Sequence, residues 1–102
     1  MIEITEEQRE VLKLAIEIYD VDNQIFQAIE EMSELIKALL KLRRVDPDDK
    51  KEIKKRIWDI EEETADVAIM IAQLEMIFDA GSIQSVANKK IKRLAQRLHE
   101  EV

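Results

Sequence analysis

Residues 67–78 read VAIMIAQLEMIF, from Val67 to Phe78, and only Gln73 and Glu75 interrupt the apolar run. With no Pro or Gly inside it, the run is too long for a single strand and reads as a helix. A helix apolar almost all round has to be covered on nearly every side. Three further helices of a 102-residue chain would struggle to do that, so a second copy is expected to complete the bundle.

The rest of the chain supports long helices. It contains one Gly and one Pro, 46% hydrophobic and 38% charged residues. So few turn formers exclude an all-β fold, and the length suits one domain spanning residues 1–102. The absence of Cys removes disulfides, Cys–Zn sites and thiol chemistry. The lone His99 removes a His-pair metal site. A net charge of −7 argues against general nucleic-acid binding. No apolar run approaches a membrane span and no signal-like start is present, so a cytoplasmic protein without membrane contact is expected.

Four helices follow from the punctuation. Thr5-Glu-Glu-Gln8 is a capping box opening a helix to about Tyr19. After a polar break at Asp20–Asn23, a second helix is predicted from about Gln24 to Arg44. Its apolar positions Ile25, Ile29, Met32, Ile36 and Leu39 lie at helical spacing. Asp46-Pro47-Asp48-Asp49 predicts a third start, with Asp46 as cap and Pro47 in the first turn. That helix could run unbroken to Ala80 or bend or break near Lys50–Arg56, with Gly81 as its C-terminal stop. Ser82 would cap a fourth helix reaching about Glu100.

Two acidic clusters interrupt this scheme: Glu30-Glu31-Met32-Ser33-Glu34 and Glu61-Glu62-Glu63-Thr64-Ala65-Asp66. Three-residue spacing puts Glu31 with Glu34, and Glu63 with Asp66, on neighbouring turns. On a helical wheel Glu63 and Asp66 share a sector with Val67, Met70, Leu74 and Ile77, so the acids continue an apolar stripe. Glu31 borders Leu35 and Leu42, and Glu34 lies nearer the polar side. Carboxylates drawn into an apolar bundle need countercharge. Hard oxygen donors suit Mg²⁺, with Mn²⁺ as an alternative. A solvated acidic surface is the competing explanation. Without Glu-x-x-His pairs a di-iron bundle is excluded. An EF-hand is excluded because neither Asp-rich stretch has the glycine and twelfth-position Glu of that loop.

The paired runs Glu30-Glu31-x-x-Glu34 and Glu63-x-x-Asp66, separated by Leu35–Glu62, resemble the hallmark of the all-α nucleoside triphosphate pyrophosphohydrolases, the MazG-like and dimeric-dUTPase-like group. The likeness spans roughly Asn23 to Leu94, and QAIEEMSELIKALLK and EEETADVAIMIAQLEMIF look like small bacterial and phage-type members. It implies an all-α bundle of four-helix chains, acting as a homodimer or a tetramer of two dimers. It implies Mg²⁺ held by Glu31, Glu34, Glu63 and Asp66, and hydrolysis of a nucleoside triphosphate to a monophosphate and pyrophosphate. Glu30 or Glu34 would accept the proton of the attacking water. Asn88, Lys90 and Arg93 match the family's basic stretch and would bind phosphate, although Ile91 stands where a Phe is common.

Gln24 and Gln27, one to two turns before the first cluster, are candidates for reading a base edge; ordinary polar helix positions are the simpler explanation. Phe26 and Trp58 are expected in the core or at a subunit contact, and Met32, Met70 and Met76 in the core. A phosphoribosyl-ATP pyrophosphatase would share the metal chemistry. A non-enzymatic acidic adaptor or dimerisation protein is the alternative of a different class.

Overall fold

The computed structural model describes residues 2–101 and forms four α-helices, with no strand among the described residues. They are α1 (Glu6–Tyr19), α2 (Val21–Arg43), α3 (Lys50–Ile77) and α4 (Ala80–Glu101). No helix among the described residues is long and apolar enough to cross a membrane.

Local chemistry fixes the helix ends. The capping box at α1 forms as expected: Gln8 N–H donates to Thr5 Oγ1 at 3.1 Å, and Thr5 N–H donates to Gln8 Oε1 at 2.9 Å. The four-residue break expected after α1 shrinks to Asp20 alone. Its backbone takes φ 70°, a conformation Asp tolerates better than most side chains. Its Oδ1 accepts from Asn23 N–H at 2.9 Å, while Asn23 Nδ2 donates to the Tyr19 carbonyl at 2.8 Å. One residue therefore ends α1 and caps α2.

Two other boundaries differ from the sequence expectation. Asp46 and Pro47 build a turn, in which Asp48 N–H donates to Asp46 Oδ1 and Asp49 N–H to the Asp46 carbonyl. Asp49 is the true cap, accepting from Glu52 N–H at 3.1 Å. From there α3 runs without interruption for 28 residues, so the helix does not break near Lys50–Arg56. Gly81 is not a helix stop either. It lies in the first turn of α4 without a positive φ, because Asp79 takes over the capping. The Asp79 Oδ1 accepts from Ser82 N–H at 3.0 Å and its carbonyl accepts from Ile83 N–H.

α2 and α3 form an antiparallel hairpin that carries most of the tertiary contact. Gln24 faces Gln73, and Glu31 faces Asp66, as antiparallel register requires. Ala28 and Ala38 on α2 and Val67 and Met70 on α3 are the buried apolar residues. Two alanines on one face let the helix axes approach closely. Met32 is 37% exposed, so of the three methionines expected in the core only Met70 is fully inside.

A polar contact ties α1 to this hairpin. Gln73, 2% exposed, accepts from Gln24 Nε2 at 2.8 Å and donates from its own Nε2 to the Leu12 carbonyl at 3.1 Å. One amide thus joins three helices. Gln73→Ala leaves Gln24 without its partner and opens a cavity, and is expected to destabilise the fold by about 2–4 kcal/mol. Urea unfolding measures this. A loss below ~0.5 kcal/mol would show that the contact is not maintained in solution.

Large apolar side chains remain outside this core. Phe26 is 68% and Trp58 60% exposed, and Ile29, Ile36 and Leu40 line an open stripe on α2. α4 contacts α3 alone, and every residue of it except Ala87 is exposed. The accessible surface is 8469 Å², against ~6000 Å² for a compact monomer of 12.0 kDa. The radius of gyration is 17.1 Å, against ~13 Å for a compact chain of this length.

Candidate metal centre between the two acidic helices

Antiparallel pairing of α2 and α3 brings the two acidic clusters opposite each other. One carboxylate oxygen from each of Glu31, Glu63 and Asp66 lies within 4.8 Å of the others. Glu31 and Glu63 are half-buried and Asp66 is exposed. Asp66 precedes buried Val67 on α3, so the acids sit where the apolar seam of the hairpin reaches solvent. The helical wheel put both Glu63 and Asp66 on the apolar stripe; Glu63 is half-buried there, whereas Asp66 is exposed.

The surroundings intensify the negative charge. Partial desolvation, together with the charges of Asp66, Glu31, Glu34 and Glu62, raises the Glu63 carboxyl above its ordinary range. Gln27 Nε2 donates to Glu31 Oε1 at 2.8 Å and orients that carboxylate from one helical turn away.

A raised folded-state value means that the folded chain holds more protons at Glu63 than the unfolded chain, over the interval just above the ordinary glutamate range. Stability at this group therefore falls as pH rises through that interval, and the full penalty is present at neutral pH. Glu63→Gln removes the repulsion. The metal-free variant is expected to melt no lower than the wild type at pH 7, with a weaker pH dependence in the acid range. Scanning calorimetry across pH checks this. A variant that melts clearly lower at pH 7 would contradict the electrostatic assignment.

The remaining candidates fall at varied distances from this trio. Glu34 is exposed and sits beside it, close enough to raise Glu63. Its Oε1 lies 3.4 Å from Lys37 Nζ and it is outside the three-acid group. Glu30 is exposed and also outside that group. Gln24 lies in the hairpin interior with its amide nitrogen committed to Gln73, which explains its polarity without a base. Gln27 turns its amide to Glu31.

Asn88, Lys90 and Arg93 ride on α4, which does not touch α2, and Asn88 Oδ1 accepts from Gln84 Nε2 at 2.9 Å. Within one chain they are not brought to the trio. Sequence reasoning passed over Gln73 as an interruption of an apolar run, and placed Lys41 only as a cation suited to the C-terminal turns of α2. A Gln on an otherwise apolar helix was the available signal for the first.

The donor set suits a hard divalent cation. All three donors are carboxylate oxygens, they converge from two helices, and their mutual repulsion lacks compensation by any ion pair to Glu31, Glu63 or Asp66 among the described residues. No protein-family model matches the chain, and neither a curated protein nor a solved structure matches it.

Proposed function

We propose that this protein is a Mg²⁺-dependent nucleoside triphosphate pyrophosphohydrolase of the MazG-like kind, cleaving between the α and β phosphates. The observation that carries the proposal is the convergence of Glu31, Glu63 and Asp66 from the two motif-bearing helices. The trio contains three of the four ligands the resemblance implies, with Glu34 outside it. Glu31, Glu63 and Asp66 would hold Mg²⁺, or Mn²⁺, with Glu34 joining them on leaving Lys37.

Bound there, the cation would neutralise phosphate charge and lower the pKa of a water. The chain's own residues do the rest. Glu34 accepts the proton of the water that attacks the α phosphorus, with Glu30 one turn behind as the second candidate. The α–β oxygen bond breaks and pyrophosphate leaves. Gln27 keeps Glu31 aimed into the site.

The quaternary part of the proposal rests on exposed apolar surface. Each chain exposes about 2,500 Å² more than a compact monomer would, and burying that area from two chains falls in the range of obligate dimers. A homodimer, or a tetramer of two dimers, would cover the α2 stripe and α4. It would also let α4 of one copy carry Asn88, Lys90 and Arg93 to the acids of the other.

Melting the protein with and without Mg²⁺ or Mn²⁺, followed by a panel of triphosphates assayed for pyrophosphate, tests the proposal. A divalent-specific rise in melting temperature and pyrophosphate release are expected. A response set by ionic strength alone, with no turnover, would return the acids to an ordinary charged surface.

A further inference from the structure

We propose that Lys37 and Lys41 form the anion-binding wall of the carboxylate site and receive the pyrophosphate end of the substrate; this rests on the hydrolase reading above. A cleft of about 110 Å³ opens between α2 and α3 on the α2 C-terminal side of the trio. Glu34, Lys37, Ala38 and Lys41 form one wall, and Glu62 and Glu63 belong to the other. Glu63 is a member of both the trio and the cleft, so a ligand held by the trio continues directly into this space.

Three features make the lysines more than neutralisers of the opposite wall. They stand four residues apart and so share one helical face, with buried Ala38 beside them leaving room. The Lys37 ammonium is drawn toward Glu34 at 3.4 Å, on the trio's side. Lys41 has no ion-pair partner among the described residues. The cleft acid Asp59 is already engaged by Arg56, whose Nη1 lies 3.5 Å from Asp59 Oδ2 while its Nη2 holds Glu52 at 2.7 Å.

The cleft, about 110 Å³, has room for a phosphate group beside the two ammonium groups. Ammonium groups are suited to such an anion as compact point charges with several donors. The polarity of binding follows. Phosphates extend toward Lys41, and the nucleoside lies on the opposite side of the trio, toward the end of the hairpin that carries Gln27.

The test uses inorganic pyrophosphate with Mg²⁺ as the probe, measured by calorimetry on the wild type and on Lys37→Gln/Lys41→Gln, together with triphosphate kinetics. The double variant is expected to bind pyrophosphate about tenfold or more weakly and to show a raised KM, while keeping the Mg²⁺-induced rise in melting temperature. Lys37→Arg/Lys41→Arg, which keeps the charge, is expected to stay much closer to the wild type.

Unchanged pyrophosphate affinity in the Gln variant, with its Mg²⁺ response intact, overturns the role of the lysines and leaves the hydrolase reading standing. Loss of the Mg²⁺ response in the Gln variant also overturns it, since the lysines would then act on the metal ligands. A wild type with neither Mg²⁺ response nor pyrophosphate release removes the hydrolase reading and this inference with it.

Discussion

Asp66→Asn is expected to lower magnesium-dependent pyrophosphate release by about a thousandfold or more, with helicity unchanged. Asp66 is exposed at the mouth of the trio, so the amide costs the fold little. At the site it removes one of three converging anionic donors and leaves a neutral amide oxygen in its place. Divalent affinity falls accordingly, and so does the charge that offsets the triphosphate.

Glu63→Gln should have the same catalytic effect while relieving the repulsion at that position. The two variants therefore separate function from stability: both lose activity, and neither loses structure. Circular dichroism establishes the fold, and a coupled pyrophosphate assay over a Mg²⁺ series gives activity. Undiminished turnover in both variants would refute the metal assignment. Glu30→Gln, outside the trio, is expected to cost less than either.

Mixing two inactive variants should restore activity. If α4 of one copy supplies phosphate contacts to the acids of another, Asp66→Asn and Lys90→Gln/Arg93→Gln fail for complementary reasons. A mixed dimer then contains one site with intact acids from the second variant and an intact α4 from the first. Equal mixing with free exchange gives about a quarter of wild-type activity, since half of the dimers are mixed and one of their two sites is whole.

The physical basis is the position of α4. Its exposed apolar residues Ile83, Val86, Leu94 and Leu98 lie on the helix that also bears Lys90, Arg93 and Arg97, in a chain of net charge −7. An acidic body and a basic amphipathic helix that does not fold back on it would be complementary between two copies. Activity of the mixture is read after refolding the two variants together and compared with each variant alone. No recovery, despite confirmed mixed dimers, would place the α4 cations outside the site. A wild-type mass of 12.0 kDa in solution would remove the second copy altogether.

Much of the helical pattern could be read from the sequence because it depends on nearest neighbours along the chain. The Thr5–Gln8 box, the α1 span and the acidic starts follow from hydrogen bonds over three or four residues. Where two signals compete over the same short stretch, local reading fails. Asp46 and Asp49 both offer a cap, and the Asp46–Asp49 turn hands the start to the second. Asp79 and Ser82 compete likewise, and Asp79 captures the Ser82 and Ile83 amides, which places Gly81 inside a helix.

The candidate site shows the same division. Helical periodicity made the two acidic pairs, Glu31 with Glu34 and Glu63 with Asp66, readable from residues alone, and the resemblance to a known family named all four as ligands. The convergence of Glu31, Glu63 and Asp66 was not readable, because it requires α2 and α3 to pair in one antiparallel register, and that register depends on contacts between residues dozens of positions apart. Gln24 marks the difference most clearly. Its position suggested a base contact, but burial beside Gln73, 49 residues away, gives its amide to the helix hairpin. An unpaired amide there would cost more than an apolar replacement, so the pair holds the register that assembles the acids. Short-range hydrogen bonds and the 3.6-residue repeat determined four helices and their acidic faces; long-range burial decided which faces meet and left α4 without cover in its own chain.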